Sequence, residues 1–315
     1  MKALLHYRAS EGFRAQLARF AAEFAVDAVV VDEDDEQGLA REIADTEVLL
    51  HVLKPVTAAM LAQAPRMRLV QKLGVGVNTI DLEAARASGV AVANMPGTNS
   101  QAVAEMTLAL MLAVLRRLSY LDPLTRAGWG WSPDPAQIDG TGEIAGRTVG
   151  FVGYGSAPSR LGMALEALGA QVIYTARSPK PDLPGEAVAL ETLLAKADIV
   201  SLHIPLTDET QGLIGREAIA AMRPGAILIN TARGGLVDEP ALVEALASGR
   251  LGGAGLDVFG QEPVDPANPL LALPNVVVAP HMAWLTPETL ERSLAAAFEN
   301  CRRLRAGEPL QNQVV

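Results

Sequence analysis

The chain has 315 residues, of which half are hydrophobic and one fifth are charged. That length exceeds the size at which one hydrophobic core keeps growing, so two domains are expected, and the composition excludes a disordered or collagen-like protein. A net charge of −10 argues against nucleic acid and against anionic membrane surfaces as partners.

The first third of the chain alternates short apolar runs with stretches of helical periodicity. The apolar runs predict five strands, at residues 4–6, 28–31, 48–52, 69–72 and 91–93. Short strands separated by helices are typical of a parallel sheet with crossover helices. We therefore predict a first α/β domain over residues 1–97.

A long apolar helix is predicted at the end of this domain. Residues 96–118 begin with a Gly-Thr-Asn-Ser lead-in that can cap a helix, and the domain boundary is placed near its start. The most apolar part, residues 106–115, is too short to span a bilayer and indicates a buried helix. Residues 128–142 show no clear period and predict an irregular arm, in which Trp129 and Trp131 favour a subunit contact.

A second series of apolar runs predicts six further strands, at residues 148–152, 171–174, 199–203, 226–230, 253–257 and 276–279. Six such strands match a dinucleotide-binding sheet, so a second domain is predicted over residues 98–285. A final helix, which starts with Thr-Pro-Glu, is long enough to return to the first domain. The expected fold class is α/β, with two Rossmann-like or flavodoxin-like parallel-sheet domains and a cleft between them. The first domain is then discontinuous and comprises residues 1–97 plus 286–315.

Cysteine and histidine usage gives further expectations. Cys301 is the single cysteine, so no internal disulfide can form. Residues 1–8 lack the charged leader of a secretion signal, which favours a cytoplasmic protein. Four scattered histidines and one cysteine offer no cluster with metal-ligand spacing, so no metal site is expected.

A glycine motif marks the candidate coenzyme site. Gly153-Tyr154-Gly155 follows an apolar strand and precedes a helix-like stretch, the setting in which backbone N–H groups and a helix N-terminus bind a pyrophosphate. Pro158 stands where a third glycine is usual, and it fits a first helical turn. A strand-helix turn that binds nothing is the alternative. The coenzyme contacts predicted here are Gly153, Gly155, Ser156 and Ala157.

The end of the next predicted strand bears on the choice of coenzyme. An acidic residue about twenty positions after the glycines would hold the ribose 2′-hydroxyl of NAD, but residues 175–178 read Thr-Ala-Arg-Ser. Arg177 and Ser178 offer a cation and a hydroxyl, which suit a 2′-phosphate. NADP(H) is therefore favoured over NAD(H). The alternative is that Arg177 is a solvated residue at a strand end.

Three later segments carry a specific resemblance. They read Asn-Thr-Ala-Arg-Gly-Gly-Leu-Val-Asp-Glu at 230–239, Gly-Leu-Asp-Val-Phe-Gly-Gln-Glu-Pro at 255–263, and Pro-His at 280–281. With them the chain resembles the D-isomer-specific 2-hydroxyacid dehydrogenase family, and in particular its glyoxylate and hydroxypyruvate reductases. The resemblance covers nearly the whole chain, including the Leu-Gly-Val-Gly-Val-Asn loop at 73–78.

The resemblance implies that Arg233, Glu262 and His281 are the catalytic set. Reduction of a 2-oxo acid needs a cation on the carboxylate and carbonyl, a hydride donor, and an acid that protonates the forming alkoxide. A guanidinium can bridge both substrate oxygens, and a histidine held in one tautomer by a carboxylate can be the acid. In the oxidation direction the same histidine is the base.

The resemblance also implies binding contacts. Backbone N–H groups of Val75 and Gly76 would bind the substrate carboxylate, and Asp257 would orient the nicotinamide carboxamide. His51, at the end of a first-domain strand, and Trp284, just after the catalytic histidine, are candidate substrate contacts. The remaining coenzyme contacts implied are Thr231, His203 and Pro205.

Together these expectations describe an NAD(P)-dependent oxidoreductase that interconverts small 2-oxo and D-2-hydroxy acids, with glyoxylate or hydroxypyruvate favoured. One alternative is an NAD-linked dehydrogenase of another hydroxy acid, such as a phosphoglycerate or a sugar acid. A nucleotide-sensing scaffold with little turnover is an alternative from a different class. A homodimer through the apolar helix and the arm is expected from the family.

Overall fold

The computed structural model describes residues 1–315, except for the side chain of Gln137. The chain divides into two compact units. Residues Met1–Asn99 and Trp284–Val315 form the first unit, and Ser100–Ala283 form the second. Each unit contains one sheet, and the strands within both sheets pair in parallel.

Strands and α-helices alternate along most of the chain. The strands are β1 (Lys2–His6), β2 (Asp27–Val31), β3 (Val48–His51), β4 (Leu69–Lys72), β5 (Ala91–Ala93), β6 (Thr148–Val152), β7 (Gln171–Thr175), β8 (Glu186–Ala187), β9 (Ile199–Leu202), β10 (Ile227–Asn230), β11 (Gly253–Leu256) and β12 (Val276–Val278). The α-helices are α1 (Glu11–Phe24), α2 (Glu36–Glu42), α3 (Ala58–Ala62), α4 (Leu82–Ala87), α5 (Ser100–Leu115), α6 (Leu118–Arg126), α7 (Pro135–Ile138), α8 (Ser156–Ala167), α9 (Leu190–Lys196), α10 (Arg216–Ala221), α11 (Glu239–Ala247) and α12 (Pro287–Ala306). The alternation is broken where α5, α6 and α7 follow one another and where β8 comes directly after β7.

The sheet of the first unit has the order β2-β1-β3-β4-β5, which is the flavodoxin-like arrangement. Its strands are apolar on both faces because helices cover both. Leu5 and Leu50 pack with residues of α1 and α12 in one core, whereas Leu4 and Leu49 belong to a second core on the opposite face. The C-terminal helix α12 therefore completes the first unit. Its N-cap is Thr286, whose side chain accepts a backbone N–H from Thr289.

The sheet of the second unit has the order β12-β11-β10-β9-β6-β7-β8. Counted from β6, this is the Rossmann order 3-2-1-4-5-6 with a seventh strand added beside the sixth. Helices α5 and α8 pack on one face of the sheet, and α9, α10 and α11 pack on the other. The predicted fold class, two parallel-sheet α/β units, is confirmed.

Three elements of the second unit were absent from the sequence prediction: β8, α6, and the short helix α7, which lies in the arm predicted to be irregular. The two-residue strand β8 is exposed at the sheet edge, and α6 has no buried residue. In the predicted arm, Trp129 and Trp131 are 68% and 96% exposed. Within the described part of the chain, no helix combines the length and apolarity needed to cross a membrane.

Candidate active site

Three neighbouring strands of the second unit lead into the candidate catalytic residues. Arg233 follows the end of β10, Glu262 lies in the loop after β11, and His281 follows β12. Adjacent parallel strands present their carboxyl ends at one edge of a sheet, which is where open α/β sheets bind ligands. The fold thus directs all three loops to the same edge.

Glu262 and His281 form a hydrogen-bonded pair. His281 Nδ1 lies 2.6 Å from Glu262 Oε2, and Glu262 Oε1 accepts the backbone N–H of Phe259 at 3.0 Å. With Nδ1 turned to the carboxylate, Nε2 is the nitrogen left to act on a substrate. Burial by itself would raise the pKa of Glu262. The hydrogen bonds from His281 and Phe259 and the charge of Arg233 outweigh burial, so this pKa is lowered and the carboxylate is anionic at neutral pH.

Arg233 is carried on a turn shaped by Asn230. The buried Asn230 side chain donates to the carbonyl oxygen of Arg233 at 2.9 Å and accepts the N–H of Ala232 at 3.0 Å. Burial lowers the pKa of Arg233, and the charge of Glu262 opposes that shift. A guanidinium still remains protonated in this setting, so the site holds a fixed positive charge.

Gly234 brings the Arg233 turn against the segment that precedes Glu262. A Cβ atom at Gly234 would lie 1.9 Å from the carbonyl carbon and oxygen of Phe259. Only a glycine permits this backbone-to-backbone approach. The adjacent Gly234 and Gly235 were visible in the sequence, but neither Gly234 nor Asn230 was identified as a site residue there.

Asp257 holds the loop that carries His281. Its carbonyl oxygen accepts the N–H of His281 at 2.7 Å, and its two carboxylate oxygens accept the N–H groups of Met282 and Ala283 at 2.8 and 2.9 Å. Burial raises the pKa of Asp257, whereas the two backbone hydrogen bonds lower it. His281 itself has a left-handed backbone with φ of 55°. The contacts with Asp257 explain how a non-glycine residue is kept in that conformation.

The glycine loop has the features that a pyrophosphate site requires. Gly153 has φ of +91°, and a Cβ atom there would lie 2.6 Å from the carbonyl oxygen of His203. Gly155 is the N-cap of α8 and provides no side-chain cap, and the space around its Cβ position is open. Ser156 and Ala157 open the helix, where the first N–H groups lack intrahelical partners. These donors fit an anionic diphosphate.

Pro158 is the third residue of α8 and is buried. In the first helical turn its missing N–H removes no intrahelical hydrogen bond, as the sequence predicted. A close approach is made one turn later, between Gly162 and the side chain of Tyr154. A Cβ atom at that position would lie 2.7 Å from the hydroxyl oxygen of Tyr154.

The remaining predicted coenzyme contacts lie around the same sheet edge. Arg177 and Ser178 are exposed after β7, and Pro205 is exposed after β9. Burial lowers the pKa of His203 to about 3, so its ring is neutral and bonds to the hydroxyl of Ser201 at 2.9 Å. Thr231 is buried.

The predicted substrate contacts belong to the first unit. Val75 is 44% exposed in the loop after β4, and the side chain of Asn94 donates to its carbonyl oxygen at 2.9 Å. Gly76 is the next residue in that loop. His51 is buried at the end of β3, where burial and the charge of Lys72 lower its pKa to about 3. Trp284 is buried, with its ring centroid 6.4 Å from that of Tyr7.

Comparison with known protein sequences gives three findings. The family model for the D-isomer specific 2-hydroxyacid dehydrogenase NAD binding domain matches residues 108–283. A glyoxylate reductase of Aeropyrum pernix is 43% identical over 265 residues, which cover 81% of this chain and 78% of that protein. A D-3-phosphoglycerate dehydrogenase of Mycobacterium leprae is 41% identical over 88% of this chain but only 53% of its own length.

Solved structures agree with these sequence matches. The crystal structure of the TT0316 protein from Thermus thermophilus superposes with a TM-score of 0.90 at 39% identity, over the whole of both chains. The family model spans more than half of the chain, and its range includes the Arg233 turn, the Glu262–His281 pair and the glycine loop. The chain therefore belongs to the D-isomer-specific 2-hydroxyacid dehydrogenase family and is an NAD(P)-dependent oxidoreductase of hydroxy acids.

Proposed function

We propose that the protein reduces a short 2-oxo acid, glyoxylate or hydroxypyruvate, to the 2-hydroxy acid with NADPH, and that the chiral product formed from hydroxypyruvate is the D isomer. The observation that carries this proposal is the 2.6 Å contact between Glu262 and His281 beside the Arg233 turn. A carboxylate-oriented imidazole and a fixed guanidinium are the groups that 2-oxo acid reduction needs. The similarity to a glyoxylate reductase supports the choice of a short substrate.

In the proposed reaction Arg233, His281 and Glu262 each have a separate role. Arg233 binds the carboxylate and the carbonyl oxygen of the substrate and stabilises the negative charge that develops on that oxygen. Bound NADPH supplies the hydride to the carbonyl carbon. His281 gives the proton on Nε2 to the oxygen, which completes the hydroxyl, and anionic Glu262 stabilises the imidazolium before this transfer.

Four further residues are proposed as substrate contacts: Val75, Gly76, His51 and Trp284. The N–H groups of Val75 and Gly76 bind the substrate carboxylate, and the loop that carries them is accessible, with Val75 44% exposed.

NADPH is proposed as the coenzyme because Arg177 and Ser178 follow β7 where an NAD enzyme is expected to carry an acid. Arg177→Asp is expected to raise the KM for NADPH by about tenfold or more and to reverse the preference toward NADH. Lys196→Asp, at an exposed position at the end of α9, is the matched control for the charge change. Retained NADPH preference in Arg177→Asp would contradict the assignment.

The activity is tested with a panel of 2-oxo acids and both coenzymes, followed by chiral analysis of the product. Turnover of glyoxylate or hydroxypyruvate with NADPH, giving the D-product from hydroxypyruvate, is the expected result. The similarity to a phosphoglycerate dehydrogenase makes 3-phosphohydroxypyruvate with NADH the second candidate. If only that pair is turned over, the second candidate replaces the first. Coenzyme-dependent assembly without turnover would instead indicate a scaffold.

A homodimer is proposed as the working form, in the cytoplasm. In the arm, Trp129 and Trp131 are largely exposed, and Leu118 in the preceding helix α6 is 52% exposed. These exposed apolar side chains favour a contact with a second copy of the chain. In a symmetric dimer, the arm of each copy would pack against the other copy and would no longer be exposed. Sedimentation equilibrium of the wild type and of a Trp131→Ser variant tests this, with a shift toward monomer expected for the variant.

A further inference from the structure

Two buried tyrosines of the second unit stack on each other beside the glycine loop. Tyr154 is the middle residue of the Gly-Tyr-Gly motif, and Tyr174 lies in β7. Their ring centroids are 4.2 Å apart with an interplanar angle of 17°, and the residues are 4% and 2% exposed. Neither ring takes part in the proposed chemistry.

Both hydroxyl groups bond to the backbone of one segment. The N–H of Lys180 donates to the Tyr174 hydroxyl at 2.8 Å, and the Tyr154 hydroxyl donates to the carbonyl oxygen of Pro184. Lys180 and Pro184 lie in residues 176–185, the connection between β7 and β8. This 176–185 segment also carries Arg177 and Ser178.

The 176–185 segment is poor in backbone donors of its own. It contains three prolines, which have no N–H, at positions 179, 181 and 184. Leu183 makes a turn by donating to the carbonyl oxygen of Lys180 at 3.0 Å. Gly185 ends the segment with φ of +99°, where a Cβ atom would lie 2.7 Å from the Val172 side chain. The tyrosine hydroxyls therefore hold the segment at two points, Lys180 in its middle and Pro184 near its end. Its N-terminal part, which carries Arg177 and Ser178, is exposed.

The Tyr154 hydroxyl is a permanent donor. Burial, with smaller effects of Glu166 and Tyr174, raises the pKa of Tyr154 to about 12. The phenol thus keeps its proton at any pH at which the enzyme works. Its backbone belongs to the glycine loop, while its hydroxyl reaches the 176–185 segment, so one residue links the two regions expected to meet the coenzyme phosphates.

We propose that Tyr154 and Tyr174, the tyrosine pair, are positioning residues for coenzyme selectivity: they fix the 176–185 segment so that Arg177 and Ser178 are preorganised for a 2′-phosphate. The inference rests on the NADPH assignment made above. Removing either hydroxyl releases the segment and reduces binding of the coenzyme that bears the 2′-phosphate. Binding of NADH, which makes no such contact, is retained.

The test uses Tyr154→Phe and Tyr174→Phe in the full chain, which keep the stacked rings. Amide hydrogen exchange is measured on the coenzyme-free protein, and dissociation constants for NADPH and NADH are measured by fluorescence titration. Exchange within residues 176–185 is expected to rise by about tenfold, and the dissociation constant for NADPH by about threefold to tenfold. That for NADH is expected to stay within about twofold of the wild type, and kcat at saturating NADPH to be unchanged.

Tyr120→Phe is the matched control, because the Tyr120 hydroxyl also accepts a backbone N–H, from Asp134 at 3.4 Å, in a different part of the same unit. It is expected to leave both coenzyme affinities unchanged. In the double variant of the tyrosine pair, the loss of NADPH affinity should be smaller than the product of the two single effects, because both hydroxyls hold one segment.

Unchanged exchange in the 176–185 segment, or equal weakening of NADPH and NADH, overturns the proposal. A wild type that prefers NADH contradicts the coenzyme assignment before any variant is made, and the selectivity role fails with it. Absence of 2-oxo acid turnover contradicts the proposed reaction alone, because the exchange and binding measurements need no substrate.

Discussion

Single residues decide how the loops of the candidate active site meet. Asn230, Gly234 and Asp257 touch no substrate in the proposed reaction, yet each fixes the backbone that carries Arg233 or His281. Gly234 is the most restrictive of them, since an added Cβ atom would meet backbone atoms of Phe259 that cannot move aside. The Arg233 turn therefore depends on a glycine at this position.

Gly234→Ala tests that dependence. The collision with Phe259 is expected to reduce the free energy of unfolding by about 3 kcal/mol and to lower kcat by displacing Arg233. Gly235→Ala is the control, because its nearest neighbours are side-chain ends of Leu206 and Gln211 at 3.0 and 3.1 Å, which can shift. Urea unfolding and steady-state kinetics measure both effects. A Gly234→Ala protein as stable and active as Gly235→Ala would contradict the account.

The three candidate catalytic residues could be named from the sequence because each lies in a recognisable run of residues, and their catalytic roles stay a prediction. The supporting contacts could not be named, since their partners are far apart in the sequence, as with Asp257 and the N–H groups of Met282 and Ala283. Only the folded structure shows that the Asp257 carboxylate accepts hydrogen bonds from both of these N–H groups. Its predicted contact with the nicotinamide carboxamide stays a prediction.

At the scale of elements, the N-terminus of α8 is the proposed anion site for coenzyme binding. Its N-cap, Gly155, offers no side-chain oxygen, so the first N–H groups are left for a ligand. A negative side chain placed there should compete with that ligand while it favours the helix itself. The two effects have opposite signs and can be measured separately.

Ser156→Asp is the variant that separates them. The added charge should stabilise the coenzyme-free protein by about 0.5 kcal/mol through the helix dipole and weaken NADPH binding by about tenfold or more. Ser156→Asn is the uncharged control. Thermal unfolding without coenzyme and fluorescence titration with NADPH give the two quantities. If both affinity and stability fall together in Ser156→Asp, the helix terminus is not the phosphate site.

Elements with a buried face were predictable, and those without one were not. Runs such as Val48–His51 and Ile227–Asn230 are buried along their whole length and stand out as apolar. By contrast, α6 buries nothing, and β8 has two exposed residues whose only strand partner is β7. The formation of α6 and β8 depends on contacts with other parts of the chain, which the local sequence does not specify.

At the scale of the whole molecule, buried histidines link stability to pH. Burial is the main cause that lowers the pKa values of His6, His51 and His203, to about 3 for the last two. In the unfolded chain these groups take up a proton near pH 6.5. The folded state therefore keeps its full stability above that pH and loses it as the pH falls from 6.5 toward 3.

The expected loss is up to about 1.4 kcal/mol per pH unit for each neutral buried histidine. His51→Gln removes one titrating group, so its free energy of unfolding should fall less steeply than that of the wild type between pH 6 and 4.5. Urea unfolding at a series of pH values measures the two slopes. Parallel curves for the two proteins would show that His51 titrates in the folded state as it does in the unfolded chain.

The most direct test of the account compares chemistry with coenzyme binding in His281→Gln. Glutamine keeps the size and a donor but cannot give up a proton, so kcat for glyoxylate with NADPH should fall by about 100-fold or more. The dissociation constant for NADPH should stay within about twofold of the wild type. Turnover that survives the substitution, or a loss of coenzyme binding as large as the loss of turnover, would contradict the role assigned to His281 as the acid of the reaction.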